Sequence, residues 1–203
     1  MTQGSADWFA ARLGKVTASR VTDVVAKTKS GHSASRANYA AQLIAERLTG
    51  RPAEGFSNAA MQWGTQTEPQ ARAAYSFLTD NPVVEVGFIP HPSIPLSGAS
   101  PDGLVGDDGL VEIKCPNTAT HLDTLLGAGI DGRYVNQMQW QMACTGRQWC
   151  DFVSFDPRLP VRLQTKVTRV LRDEAIIESL EAEVSAFLKE IDDKVKQLTQ
   201  ETL

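Results

Sequence analysis

The chain is short of several things that would narrow its reading at once. Cysteine is scarce: Cys115, Cys144 and Cys150 are odd in number and lack the paired spacing of a zinc site, which points to free thiols in a reducing compartment. Long apolar runs are missing. Neither the opening MTQGSADWFAARLGK nor any later stretch has the unbroken hydrophobicity of a signal peptide or a membrane span, so the expectation is a cytoplasmic chain with no membrane partner. Internal repeats and low-complexity tracts are absent. Positive charge is in deficit, with 20 Lys and Arg against 24 Asp and Glu, a net charge of -4 that taken alone argues against a nucleic-acid partner.

What is present corrects that last inference. The 203 residues are 42% hydrophobic and 22% charged, enough for one substantial core, and one domain over 1–203 is expected. Charge is unevenly spread: residues 1–60 carry eight Lys and Arg against four Asp and Glu, whereas 171–203 carry four against nine. A basic first third can meet phosphates while the acidic end faces elsewhere.

The stretch Ser100–Pro116, SPDGLVGDDGLVEIKCP, holds the chemistry. A strand sets alternate side chains on one face, so Glu112 and Lys114 point one way and Ile113 points into the core. The intervening Gly-Asp-Asp-Gly is a turn signal that folds the segment ending at Val105 against Leu110 to Lys114, which brings Asp102 beside Glu112. Two carboxylates and an ammonium at a strand bend suit hydrolysis of a phosphodiester. Hard oxygen ligands hold Mg²⁺, and a lysine orients or deprotonates the attacking water. The competing reading is a charged surface hairpin.

Elsewhere the pattern is helix, strand and turn. Asp7 is a plausible cap for a short helix reaching Ala11, with Arg12 following. Gly14 to Ser19 then turns into a second helix, capped by Thr17 or Ser19 and running to about Ala26; amides at such a start, with a serine hydroxyl and Arg12, make a phosphate pocket. Lys27 to Ser35 reads as a loop in which His32 is solvated. Amphipathic helices are expected over Arg36 to Leu48 and, capped by Ser57 or Asn58, from Ala59 to Leu78. The second would pack Trp63, Ala71, Tyr75 and Leu78 and pair Glu68 with Arg72. Pro82 to Pro90 reads as a strand with Val84, Val86 and Phe88 on one face. Asn117 to Ile130 reads as a helix with His121 on its surface. Tyr134 to Cys144 is a helix carrying Gln137, Gln139 and Gln141; Gln137 or Gln141 either faces solvent or hydrogen-bonds at the metal site or the DNA backbone. Strands follow at Trp149 to Phe155 and Leu163 to Leu171, joined by Asp156-Pro157-Arg158. A long helix over about 173–198 closes the chain, with an apolar stripe from Ile177 through Leu180, Val184, Phe187, Ile191 and Val195 to Leu198.

Taken together, the Trp8-to-Lys27 block, Trp63 to Phe77, SPDG, VEIKCP, the glutamine helix and Phe155-Asp156-Pro157-Arg158 resemble the phage lambda-type alkaline exonucleases. These form the YqaJ-like viral recombinase branch of the PD-(D/E)xK nuclease superfamily. The resemblance implies an α/β fold with a restriction-endonuclease-like mixed sheet flanked by helices and a ring-shaped homotrimer. It also implies Mg²⁺-dependent digestion of one strand of duplex DNA from a phosphorylated 5′ end, with Mn²⁺ as a substitute ion. By position, Asp102 would bridge two metals, Glu112 and the main-chain carbonyl of Ile113 would bind the first, and Glu68 would help bind the second. Lys114 would position the water, Arg12, Ser19 and Ser100 would grip the 5′-phosphate, and Met61 would be the apolar wedge that parts the strands. A single-strand annealing protein is the implied partner. One departure stands out: the acidic residue the family often carries before SPDG is missing from His91-Pro92-Ser93. An endonuclease or junction resolvase with the same metal core, and a DNA-binding module without catalysis, are the alternatives.

Overall fold

The computed structural model describes residues 2–29, 31–53 and 58–200. Helix α1 (Ala6–Arg12) opens the chain, and Ser5 rather than Asp7 caps it, accepting the Trp8 N–H. A cap needs extended backbone; Asp7 already lies in the first turn, where its carboxylate meets the positive end of the helix. The second expected helix begins late. Val16–Thr17 is a short strand, β1, whose Val16 N–H goes to the Leu96 carbonyl at 2.9 Å. A 3-10 turn at Ala18–Arg20 then leads into α2 (Val21–Val25), so Thr17 makes no capping hydrogen bond and Ser19 sits inside the turn.

The stretch read as a loop contains an antiparallel ribbon, β2 (Lys27–Thr28) with β3 (Gly31–His32), and His32 is exposed as expected. Helix α3 (Ala34–Thr49) starts at Ser33, which accepts the Arg36 N–H, and stops at Gly50, whose φ of 65° is left-handed. Helix α4 (Ala59–Thr79) is capped by Asn58, which accepts the Met61 N–H at 2.9 Å; Ser57 lies outside the described residues. Ala71 and Tyr75 of α4 are buried and Trp63 is half-buried, but Leu78 is 62% exposed, one turn past the last α4 residue in the core cluster.

The strand expected at 82–90 is broken in two. Strand β4 (Val83–Val84) and strand β5 (Ile89–Pro90) belong to different sheets, and Val84 is exposed. The chain crosses between sheets here. Strand β6 (Ser97–Ala99) follows, pairing with both β5 and β1. At Gly98 an added Cβ would lie 2.4 Å from the Phe88 ring and 2.5 Å from the Ile89 carbonyl, so this approach needs glycine.

Strands β7 (Gly103–Val105) and β8 (Gly109–Lys114) form the expected hairpin, Val105 opposite Gly109. Helix α5 (Thr118–Leu125) and helix α6 (Gly132–Thr145) lead to β9 (Trp149–Phe155), β10 (Thr165–Leu171) and the long α7 (Glu174–Gln200). The main sheet has the order β10-β9-β8-β7-β4, with β8 and β9 parallel and the other pairs antiparallel. A second sheet has the order β1-β6-β5.

Strand alternation divides the core. Val111, Ile113, Val153 and Phe155 meet Ala71 and Tyr75 of α4, whereas Leu110, Cys150 and Phe152 meet Met138 and Met142 of α6. The far side of α6, with Trp140 and Cys144, packs on residues of α2, α3 and α7. Along α7, Ile177, Leu180, Val184, Phe187 and Ile191 are buried, while Leu198 is exposed near its end.

Helix α6 is therefore buried from Met138 to Cys144, and its polar side chains must find partners inside. Gln139 does so at the start of α7, donating to the Leu171 carbonyl and accepting the Asp173 N–H. His121 is a correction: it is fully buried, with Nδ1 2.7 Å from Ser154 Oγ and Nε2 2.8 Å from the Leu163 carbonyl. Its place on α5 faces β9 rather than solvent, so it joins the helix to the sheet.

Candidate active site

Strand β8 carries Glu112 on the face toward α6, and its side chain is wholly buried. A buried carboxylate is costly unless each oxygen finds a donor. Here Gln137 donates to Oε1 at 2.7 Å and Gln141 to Oε2 at 2.6 Å, and Lys114 also reaches Oε1. The two glutamines stand one turn apart on α6, so one helix face supplies both bonds. The fold gives both a hydrogen bond to Glu112, with Gln141 buried and Gln137 half-buried.

Asp102 sits at the bend between β6 and β7. Its Oδ2 accepts the Ile113 N–H at 2.7 Å, a bond that ties the Pro-Asp bend to the next strand. Burial, reinforced by the Glu112 charge, raises the Asp102 carboxyl well above the usual range, with Glu68 adding to the effect. Burial also raises Glu68; Arg72 opposes this, and Glu112 works with it. Burial disfavours the Lys114 ammonium, but Glu112 and Asp102 outweigh it and hold the group above the ordinary lysine value.

Glu68 reaches this site from α4. It shares a cavity of about 560 Å³ with Asp102, Ile113, Lys114 and Met61, and Met61 is 54% exposed. Glu68 is turned toward Arg72, which also pairs with Glu85 at 3.0 Å. Among the described residues no group of three or more His, Cys, Asp or Glu side chains is gathered as a finished metal cage. The donor chemistry nevertheless fits a hard divalent cation: carboxylate oxygens that oppose one another's ionisation are what such an ion would reconcile.

The residues expected to hold a 5′-phosphate divide into two groups. Arg12 NH1 donates to Ser100 Oγ at 3.1 Å, so these two meet two residues before Asp102. Trp8 Nε1 also donates to Ser100 Oγ at 2.9 Å, and the Arg12 guanidinium lies 4.1 Å from the Trp8 ring centroid. Among the described residues Ser19 makes no hydrogen bond to Ser100. It lines, with Arg12, a neighbouring cavity of about 280 Å³ whose walls include Lys15 and Arg20. Ser19 Oγ lies 3.5 Å from Thr17 Oγ1.

Some contributors escaped the sequence reading. Trp8 stands four residues before Arg12, the helical spacing for a stacked pair, and that spacing was available as a signal. Lys15, whose ammonium is 5.2 Å from the Phe88 ring centroid, gave none, because a lone lysine beside glycine is ordinary. Tyr134, whose ring lies 5.1 Å from the Lys114 ammonium, read as the first apolar position of a helix. His91 occupies the loop where the acidic residue is missing. Its Nε2 lies 3.2 Å from Glu181 on α7 and its ring stacks on Trp140, so it anchors that loop to the helices.

Comparisons with known proteins bear on the same residues. The model of the YqaJ-like viral recombinase domain matches residues 7–148, which contain every candidate site residue named above. No curated protein matches. Among solved structures, the alkaline exonuclease LHK-Exo from Laribacter hongkongensis is 56% identical, with a TM-score of 0.91 over 98% of each chain. LHK-Exo in complex with dAMP is 57% identical, with the same TM-score and coverage. A phage-related exonuclease from Haemophilus somnus 129PT, 16% identical over 91% of this chain and 96% of its own, shares the fold at a TM-score of 0.69. With these matches and the mixed sheet that holds Asp102 and Glu112 between helices, the chain belongs to the YqaJ-like viral recombinase family, as the resemblance to lambda-type alkaline exonucleases implied.

Proposed function

We propose that this protein is a divalent-metal-dependent nuclease that digests one strand of linear duplex DNA from a phosphorylated 5′ end, leaving 3′ overhangs for single-strand annealing. The observation that carries the reading is the joining of two sites through one short segment. Arg12 bonds Ser100, and two residues on, Asp102 bonds the strand that holds Glu112 and Lys114. A terminal phosphate gripped at Ser100 would hold the next phosphodiester at the carboxylates, so end recognition would also fix the point of cleavage.

Asp102, Glu112 and the Ile113 carbonyl would hold Mg²⁺ or Mn²⁺, with Glu68 completing a second position once it leaves Arg72. Such an ion supplies a polarised phosphoryl oxygen and a water acidic enough to attack at neutral pH. The chain's own groups do the rest. Gln137 and Gln141 hold Glu112 in one orientation, Lys114, bonded to Glu112 here, would donate to the water or the charged phosphate, and Met61 at the cavity mouth would wedge the end of the duplex open. Similarity to an alkaline exonuclease supports the reading. A homotrimer and an annealing partner complete it.

The test is a time course on 5′-phosphorylated linear duplex, 5′-hydroxyl duplex, nicked circles and closed circles, with and without Mg²⁺. Expected are rapid loss of the phosphorylated duplex, slower loss of the hydroxyl end, intact closed circles and no reaction in EDTA. Cutting of closed circles would replace this reading with an endonuclease.

A further inference from the structure

Helix α1 carries Arg12 but buries none of its own residues, so core packing does not fix where Arg12 lies. The segment that follows it is held instead, and held by α3. Glu46 Oε2 accepts the Gly14 N–H at 2.8 Å, and the next residue, Arg47, donates from Nε to the Gly14 carbonyl at 2.9 Å. The buried Tyr39 hydroxyl, on the same helix, donates to the Lys15 carbonyl at 3.3 Å and accepts the Thr17 N–H at 3.2 Å. Resting on the reading above, we propose that Glu46 and Arg47 are positioning residues for end recognition: by gripping both main-chain polar groups of Gly14, they hold Arg12 and Ser19 at the separation that a 5′-phosphate needs. Gly14 lies between those two residues in the chain, and Arg12 and Ser19 line one cavity together with Glu46.

The way Glu46 is satisfied supports the assignment. It is 7% exposed and shares the cavity with Arg12, Lys15 and Arg20, yet among the described residues it makes no ion pair with them; Arg20 pairs with Asp23 instead. Its hydrogen bonds come from neutral donors, namely the Gly14 N–H, the Gln42 amide at 2.9 Å and the Ala53 N–H at 3.4 Å. A buried carboxylate needs such donors. Met by them, it leaves Arg12 and Lys15 without a carboxylate partner among the described residues, open to an anion. Arg47 extends the restraint by pairing with Asp192, which ties the clip to α7.

The experiment measures binding of two hairpin duplexes, identical but for a 5′-phosphate or a 5′-hydroxyl at the one open end, by the full chain in Ca²⁺. Glu46→Ala and Arg47→Ala should each weaken the phosphorylated end more than the hydroxyl end, lowering the affinity ratio by about 5- to 10-fold, the loss that one buried hydrogen bond explains. Glu46→Gln keeps an oxygen for the Gly14 N–H and should keep the ratio, whereas a merely structural role would move both ends alike. Hydrogen exchange at the Gly14 amide, read by NMR, should quicken in Glu46→Ala and not in Glu46→Gln. Should Glu46→Ala not fold, Arg47→Ala, which leaves Glu46 and its bonds in place, carries the test. An unchanged ratio in the alanine variants, equal weakening of the two ends, or a wild-type chain that binds both ends alike would overturn the proposal. If the ratio falls as expected but the protein cuts no DNA with Mg²⁺, the nuclease reading fails while the clip stands.

Discussion

At the scale of single residues, Glu112 and Lys114 are bound to each other's fate. Removing Lys114 leaves a wholly buried carboxylate without its counter-charge, so Lys114→Ala should abolish cleavage and also destabilise the fold by about 3–5 kcal/mol in urea melts. The double variant Glu112→Gln with Lys114→Met removes both charges and should recover most of that stability while staying inactive. If the double variant were as unstable as the single one, the unpaired charge would not be the cause. Gln141 acts through Glu112: Gln141→Ala should lower activity by about 10–100-fold, with the Mg²⁺ dependence shifted to higher concentration. The meeting of Asp102 with the strand of Glu112 and Lys114 was legible in the sequence because a Pro-Asp pair, a turn signal and an alternating Glu-Ile-Lys fix local strand geometry. His121 was not, because a lone histidine on a short helix reveals nothing of the Ser154 and Leu163 partners that bury it.

At the scale of elements, the turn after β9 shows how a loop is stiffened beside the site. Asp156 accepts from Arg158 Nε at 2.7 Å and from Thr118 Oγ1 at 2.7 Å, while Arg158 donates to the Pro116 carbonyl and lies over the Trp63 ring. Thus α4, α5 and the segment after Lys114 meet at the Asp156–Arg158 pair. Burial pushes the Asp156 pKa up, but the bonds from Arg158 and Thr118 outweigh it and hold the group at about 2, below the ordinary 3.8. A depressed pKa means stabilisation that is complete above the ordinary value and lost as pH falls toward about 2. Urea unfolding of the wild type should therefore weaken over that window relative to Asp156→Asn, which has no carboxyl to protonate; parallel curves would refute the assignment. The hairpin and the last two strands were readable from alternation and turn residues. The stretch at 82–90 was not, since a run of apolar residues does not say which sheet each half will join.

At the scale of the whole molecule, α7 closes the core. Phe187 is fully buried against Tyr39, the ring centroids 5.8 Å apart, and Arg36 and Arg47 of α3 pair with Glu190 and Asp192. Phe187→Ala should cost about 3–5 kcal/mol in denaturant unfolding. A cost near zero would mean that α7 packs elsewhere in solution. Mass measurement of the intact protein tests the proposed trimer, with three chains per particle expected and a monomer refuting it.

Periodicity and turn chemistry alone determined most of the elements, the hairpin and the face shared by Glu112 and Lys114, because these depend on local backbone geometry and residue spacing. The tertiary structure alone decided that α6 is buried from Met138 to Cys144, and that Gln137 and Gln141 both donate to Glu112. It also decided that Arg12 and Ser100, far apart in the chain, share a hydrogen bond, and that Ser19 lines a separate cavity with Arg12. Long-range pairing follows from which faces can be buried together, and no local pattern encodes that choice.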